Sequence, residues 1–411
     1  MDTVSLSRRV ALITFVGGLG GGLVFPILPA LGLSLGIPGL MIGFILSANR
    51  ISRLICDHPA GHVVDKLGGR RALSGALFIE TIGVLGYSAA LHFGHPALWL
   101  LAGRAVYGVG SAVLLVGAQA TILSVTKFED RGRRTATVRV ALSSGMPAGL
   151  IMGGVIADLA SDDAAFLTGA SLTLIGSILA AILLPSASKL PVAHAPKPGR
   201  TAGGLKTLMK NPNFPVLTAV WGFNLLVFLT LQGVLLATMV VLMQDRGLHL
   251  FGMRAQGTSG LMMAVMMASS SVMAFVTGRL IDKVGRRSTL VIPALTVLAA
   301  GYAVLAFASN LGLALLGVIL VGISYNGVNL PMLALLGDVT KRHYGRAVGI
   351  YQVFGDIGGS LGPIIGLEAG INLGLTSLYL AIAALTASTI TVAVWLRRRE
   401  NALAMGESLP G

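Results

Sequence analysis

The chain has 411 residues, of which 54% are hydrophobic and only 11% charged, and its formal net charge is +14. Soluble domains carry about 25% charged residues, so this composition excludes an ordinary soluble enzyme and points to a chain that crosses a bilayer many times. The basic excess does not imply nucleic acid, because it falls in alternate loops between apolar runs, and the single cysteine, Cys56, excludes an internal disulfide or a cysteine metal cluster.

In chain order, apolar segments predict spans near 10–33, 39–60, 72–93, 96–125, 135–158 and 165–185. A second set follows near 214–243, 257–281, 288–309, 311–337, 346–370 and 374–396. Each is long enough to cross a hydrocarbon core, which takes about 20 residues as a helix. The start, Met1 to Arg9 and then an apolar run, mimics a signal peptide, but the run is long enough to span and is read as an uncleaved first helix. The expectation is an all-α membrane protein of twelve helices in two pseudo-symmetric six-helix bundles. Residues 1–188 form the first bundle, 189–213 a basic linker, 214–400 the second bundle and 401–411 a tail.

Orientation follows from Lys and Arg. The N-terminus, the loops after the even-numbered spans and the C-terminus hold 24 of the 30 basic residues, whereas the opposite loops hold only Arg246 and Arg254. Both termini, the linker and the tail are therefore expected on the cytoplasmic side of a bacterial inner membrane.

Between the second and third spans lies Gly61-His62-Val63-Val64-Asp65-Lys66-Leu67-Gly68-Gly69-Arg70-Arg71. It recurs as Gly278-Arg279-Leu280-Ile281-Asp282-Lys283-Val284-Gly285-Arg286-Arg287, 217 positions later. Half the chain thus repeats the other half. The pattern G-x-x-x-D-x-x-G-[GR]-R resembles motif A of the major facilitator superfamily of transporters. That resemblance implies a conformational latch carried by Gly61, Asp65, Gly68, Arg70, Arg71, Asp282 and Arg286. A carboxylate at Asp65 can accept hydrogen bonds from a helix N-terminus and pair with Arg70 or Arg71. The bland alternative is that these charges only set topology.

Arg104-Ala105-Val106-Tyr107-Gly108-Val109-Gly110-Ser111-Ala112 in the fourth span resembles motif B of the same family. At an offset of 219 the tenth span has Ile323 in place of Arg104. Gly358 to Gly366 in the eleventh span looks like the antiporter pattern G-x-x-x-G-P-x-x-G, whereas the fifth span, where the family's proton antiporters carry it, has Met146-Pro147. Glycines four apart in both spans (Gly145, Gly149 and Gly153; Gly358, Gly362, Gly366 and Gly370) predict close helix packing.

Ionisable groups inside spans are few and therefore informative. Candidates for proton coupling are Asp356, Glu80, Arg104 and Arg50. Asp356 ranks first for want of an obvious partner, and Glu80 second, because its depth predicts a pair with Arg50. By resemblance, helices 1, 4, 7 and 10 line a central cavity. Candidate substrate contacts are Asn49, Arg53, Arg139, Asn224, Phe228, Gln232, Met262, Met266, Tyr325, Asn326, Asn329 and Gln352. Methionine-rich stretches also serve as plain packing.

No nucleotide loop, zinc motif or nucleophile elbow is present, so no catalytic role, cofactor or metal is expected. The resemblance implies a monomeric secondary transporter of the drug:proton antiporter type, exporting small apolar or amphipathic molecules against proton entry, with protons and the lipid bilayer as its other partners and no nucleic acid. An organic-anion or lysolipid transporter, by uniport, symport or exchange, is the rival. A non-transporting membrane sensor or scaffold is the alternative of another class.

Overall fold

A computed structural model describes residues 3–126, 131–185, 213–284, 286–340 and 344–405. The linker and the end of the tail lie outside these residues, as does the side chain of Asp282. The described residues are helical almost throughout: α1 (Thr3–Leu23), α2 (Leu28–Ser34), α3 (Gly39–His92), α4 (Pro96–Val125), α5 (Arg131–Leu159) and α6 (Asp162–Leu183) precede the linker. After it come α7 (Phe214–Val227), a π-helical stretch (Phe228–Leu235), α8 (Leu236–Asp245), α9 (Ala255–Lys283), α10 (Val291–Ala306), α11 (Leu311–Val339), α12 (Tyr344–Leu373) and α13 (Leu375–Met405).

Eleven helical stretches among the described residues are long and apolar enough to cross a membrane. The predicted eleventh span, α12, is not one of these, although its 30 residues are long enough. Its glycines, eight by sequence, lower its hydropathy and let its backbone approach that of the seventh span. The second and third predicted spans appear as the single element α3, broken at Gly68 (φ 75°, ψ 159°). That left-handed φ is the one position in the first motif A loop where glycine is conformationally required. Helix starts follow local chemistry: Pro96 opens α4, Ser161 Oγ accepts from Ala164 N at 3.0 Å ahead of α6, and Asn310 Oδ1 accepts from Leu313 N at 2.9 Å ahead of α11.

Two compact units emerge, Met1–Gly199 with His249–Ala264, and Arg200–Leu248 with Val265–Gly411. In the first, α1 and α5 pack backbone to backbone. A Cβ on Gly145, Gly149 or Gly153 would strike the carbonyls of Phe15, Leu19 or Leu23. Within the same unit the start of α9 rests on α5, where Arg254 N and Nε both donate to Asp158 Oδ1 at 2.8 and 3.0 Å. In the second unit α12 repeats the role of α5, and Gly358, Gly362 and Gly366 face Leu225, Gly233 and Val234 of the seventh span. The antiporter-like pattern in α12 is thus a packing surface for the π-helical stretch. Tyr302 Oη donates to Thr230 O at 2.6 Å within that stretch, supplying a donor where helical geometry departs from the α-helix.

Candidate functional site

In the first unit the polar interior gathers around the middle of α3 and α4. Glu80 and Arg104 are each 1% exposed. Gly17 and Gly110 leave room for the Glu80 side chain; a Cβ on Gly110 would lie 2.8 Å from Glu80 Cγ, and one on Gly17 3.6 Å from Oε2. Tyr107 Oη donates to Gly17 O at 3.1 Å and so holds α4 against α1 beside the carboxylate. Glu80 Oε2 has no hydrogen-bond partner, and no salt bridge to Glu80 occurs among the described residues. The Glu80–Arg50 pair expected from matching depths is therefore not formed: equal depth along two helices does not make the side chains face each other.

Arg104 Nη2 donates to Leu46 O at 3.1 Å, and its guanidinium carbon lies 5.4 Å from the centre of the Phe25 ring. Its Nε and Nη1 have no partner. An arginine left this way inside a membrane span is costly; the Tyr87 hydroxyl lies in its electrostatic reach. Asn49, Arg50 and Arg53 are partly buried along α3, whereas Arg139 on α5 is exposed.

The second unit has its own polar network. Asn224 is 1% exposed and bonded at both ends of its amide: Nδ2 donates to Tyr351 O at 2.5 Å, and Oδ1 accepts from Asn329 Nδ2 at 2.9 Å. Tyr351 Oη returns a hydrogen bond to Asn329 O at 3.2 Å, so Asn224 ties α7, α11 and α12 together. Gln232 Nε2 donates to Tyr325 Oη at 3.3 Å, and Tyr325 stacks at a tilt on Phe228 with centroids 5.7 Å apart. These three remain partly accessible. Asn326 Nδ2 donates to both the carbonyl and the hydroxyl of Ser270 at 2.8 Å. Asp356 and Met266 are buried, Gln352 is exposed, and Met262 is buried in the first unit.

In the loop expected to act as a latch, Asp65 is exposed and carries no salt bridge or hydrogen bond among the described residues. Arg71 is exposed and Arg70 partly buried. Gly61 has nothing within 4 Å of its would-be Cβ, whereas Gly69 sits against Thr121. Sequence reasoning missed Glu400. Its carboxylate accepts from Arg287 N at 2.8 Å, Ser288 N at 3.0 Å and Ser288 Oγ at 2.5 Å, capping the turn (Arg287–Leu290) that opens α10. It also missed Arg246, which closes α10 by donating to the carbonyls of Leu305, Ala306 and Ala308. A carboxylate distant in sequence from the helix it caps leaves no local signal.

Two sets of membrane-spanning helices, each with polar side chains buried in its interior, define a polytopic membrane protein of the transporter class that the family match below identifies. The chain belongs to the Major Facilitator Superfamily, whose profile matches residues 10–255 and 251–408. It is 22% identical over 397 residues to Multidrug resistance protein 2 of Bacillus subtilis, covering 95% of each chain. It is 28% identical over 368 residues to the class C tetracycline resistance protein of Escherichia coli, covering 86% of this chain and 88% of that one. Its fold is similar to the inward-facing, occupied structure of a bacterial homologue of the human lysosomal transporter Spinster. The TM-score is 0.76 at 12% identity, over 99% of this chain and 98% of that one.

Proposed function

We propose that the protein is a proton-coupled exporter of small apolar or amphipathic molecules, working as a monomer by alternating access in a bacterial inner membrane with both termini in the cytoplasm. The observation that carries the coupling is Glu80, a carboxyl group buried in a membrane span with one oxygen lacking any partner. An oxygen without a donor has room for a proton, and a group that holds a proton in one facing state and yields it in the other couples the two fluxes. The efflux relatives support export as the direction.

This ordering departs from the sequence-based ranking, because the Arg50 pair that placed Glu80 second is not formed. Asp356, buried in α12, becomes the second candidate. Loss of an Arg50 partner no longer threatens folding on mutation, so Glu80→Gln should insert normally. In proteoliposomes with tetracycline and an apolar cationic dye as probes, Glu80→Gln should abolish transport driven by a pH gradient but retain counterflow exchange. Normal gradient-driven transport by Glu80→Gln and none by Asp356→Asn would move the role to Asp356. If both variants respond to the gradient, coupling through a buried carboxylate is wrong.

A second reading is favoured by Arg104, whose two unpartnered nitrogens suit the anionic group of an organic acid or lysolipid. Competition of dye transport by a lysophospholipid, lost in Arg104→Gln, would support it over the first reading.

A further inference from the structure

The second unit contains an apolar crevice that neither reading uses. It has a volume of about 160 Å³, and its walls come from α9 (Met273, Thr277, Leu280), α10 (Pro293, Val297) and α11 (Ile323), with others. Phe275 and Val276, on the same turns of α9, are exposed at 76% and 44%, as a lipid-facing surface would be. A cavity near 150 Å³ lined by hydrocarbon stays dry and takes an apolar guest.

Two polar features mark the crevice, and the second of them, charge, selects the occupant. Helical serines and threonines commonly return their hydroxyls to the carbonyl four residues back, and Ser324 on the crevice wall does so to Leu320 O at 2.7 Å. Thr277 does not: it is 1% exposed and its Oγ1 has no hydrogen-bond partner. The second feature is charge. Lys283 stands one helical turn beyond the crevice residue Leu280, and Arg286 stands four residues before Leu290, also in the wall. With Arg279 they are exposed, and none of the three has a salt bridge or side-chain hydrogen bond among the described residues. Their neighbour Arg287 differs, since its Nε donates to Asp338 Oδ2 at 3.2 Å and its Nη1 to Ile281 O.

We propose that this crevice seats a segment of one acyl chain of an anionic phospholipid, whose phosphate sits on Lys283 and Arg286. The apolar walls take the chain, and a turn of α9 separates the hydrocarbon from Lys283. A neutral lipid would fill the walls but bring no net negative charge to Lys283 and Arg286.

The test is lipid retention, which is independent of transport and so fails or succeeds apart from the functional reading. Purified full-length protein in detergent is incubated with dioleoyl phosphatidylglycerol, dioleoyl phosphatidylcholine or acyl-free glycerophosphoglycerol, and bound lipid is counted by native mass spectrometry and thermal shift. Phosphatidylglycerol should be retained preferentially. Lys283→Gln with Arg286→Gln should weaken it about fivefold per cation removed, as expected for basic residues at an anionic surface. Leu280→Trp, at an exposed position that tolerates bulk, should close the mouth and lower retention of both lipids. Equal retention of the two lipids, or no effect of the double charge variant, would overturn the headgroup assignment. Unchanged phosphatidylglycerol binding in Leu280→Trp, or equal stabilisation by glycerophosphoglycerol, would overturn the acyl site.

Discussion

Gly362→Ala tests whether the glycines of α12 are structural. A Cβ built there lies 2.5 Å from Leu229 O and 2.8 Å from Val234 N, and closer still to Gly233 Cα. Ordinary contact begins at 3.4 Å, so α12 and the π-helical stretch must part by about 1 Å. All three obstacles are backbone, which cannot rotate away as a side-chain tip can. Overpacking of this kind costs about 1–3 kcal/mol, and the gap opened alongside forfeits dispersion at neighbouring contacts. At roughly 2–4 °C per kcal/mol for a unit near 200 residues, melting in detergent should fall by roughly 2–12 °C. Gly349→Ala is the internal control: it lies in the same helix with nothing within 4 Å. There alanine should be neutral or stabilising by up to about 1 kcal/mol. On the proposed function, and because the displaced stretch carries Phe228 and Gln232, Gly362→Ala should also weaken binding of a transported probe, and Gly349→Ala should not. If Gly362→Ala melts at or above the wild type, the close approach is not a packing constraint and the reasoning fails.

Glu400→Gln should cost about 1.5–3 kcal/mol, the range for hydrogen bonds to a charged group, because the carboxylate serves three donors at the start of α10; a melting point equal to wild type would show the cap is idle. Arg254→Ala should cost about 1–2 kcal/mol in the same assay. Since the arginine side chain is 61% exposed, a double-mutant cycle with Asp158→Ala should return a coupling below about 1 kcal/mol. In a Cys56→Ser background, a cysteine at position 162 or 244 should react with an impermeant reagent added to cells and one at 197 should not; the reverse pattern overturns the orientation.

Most of the fold was legible because the bilayer restricts backbone to few solutions. Apolar runs located the helices, and the 217-residue repeat announced two alike halves. Glycine spacing gave the α5 and α12 packing faces, since only backbone contact explains glycines four apart. The role of each motif glycine was not legible: Gly68 makes the turn, Gly69 meets Thr121, and Gly61 touches nothing, yet the three look alike in sequence. Side-chain partnerships were the weakest inference. Depth suggested that Glu80 meets Arg50, but azimuth around the helix decides contact, and each residue of shift along a helix rotates a side chain by about 100°. Asn224 is a cavity candidate only by resemblance, and the hydrogen bonds by which its amide braces three helices leave no mark in the sequence around it.

The repeat also relates the buried polar site to the apolar crevice. Val297 follows Glu80 by 217 positions, the offset that joins Asp65 to Asp282, and Ile323 follows Arg104 by 219. Both Val297 and Ile323 line the crevice of the second unit. The corresponding place in the first unit thus holds a carboxylate and a guanidinium with unpartnered atoms, and in the second it holds branched aliphatic side chains. Backbone packing is retained across this change: Gly83 abuts Gly103 in one unit, and Gly301 abuts Leu320 and Val321 in the other. Replacing two ionisable side chains by hydrocarbon removes the desolvation cost of burying them and leaves no titratable group at that place. What the second copy gains is an apolar recess beside an exposed basic loop. On the two proposals, one repeated helix arrangement serves proton coupling in one half and lipid binding in the other. The two roles separate by experiment, because Glu80→Gln should alter gradient-driven transport without changing phosphatidylglycerol retention, and Leu280→Trp should do the opposite to retention while leaving the protonation step intact.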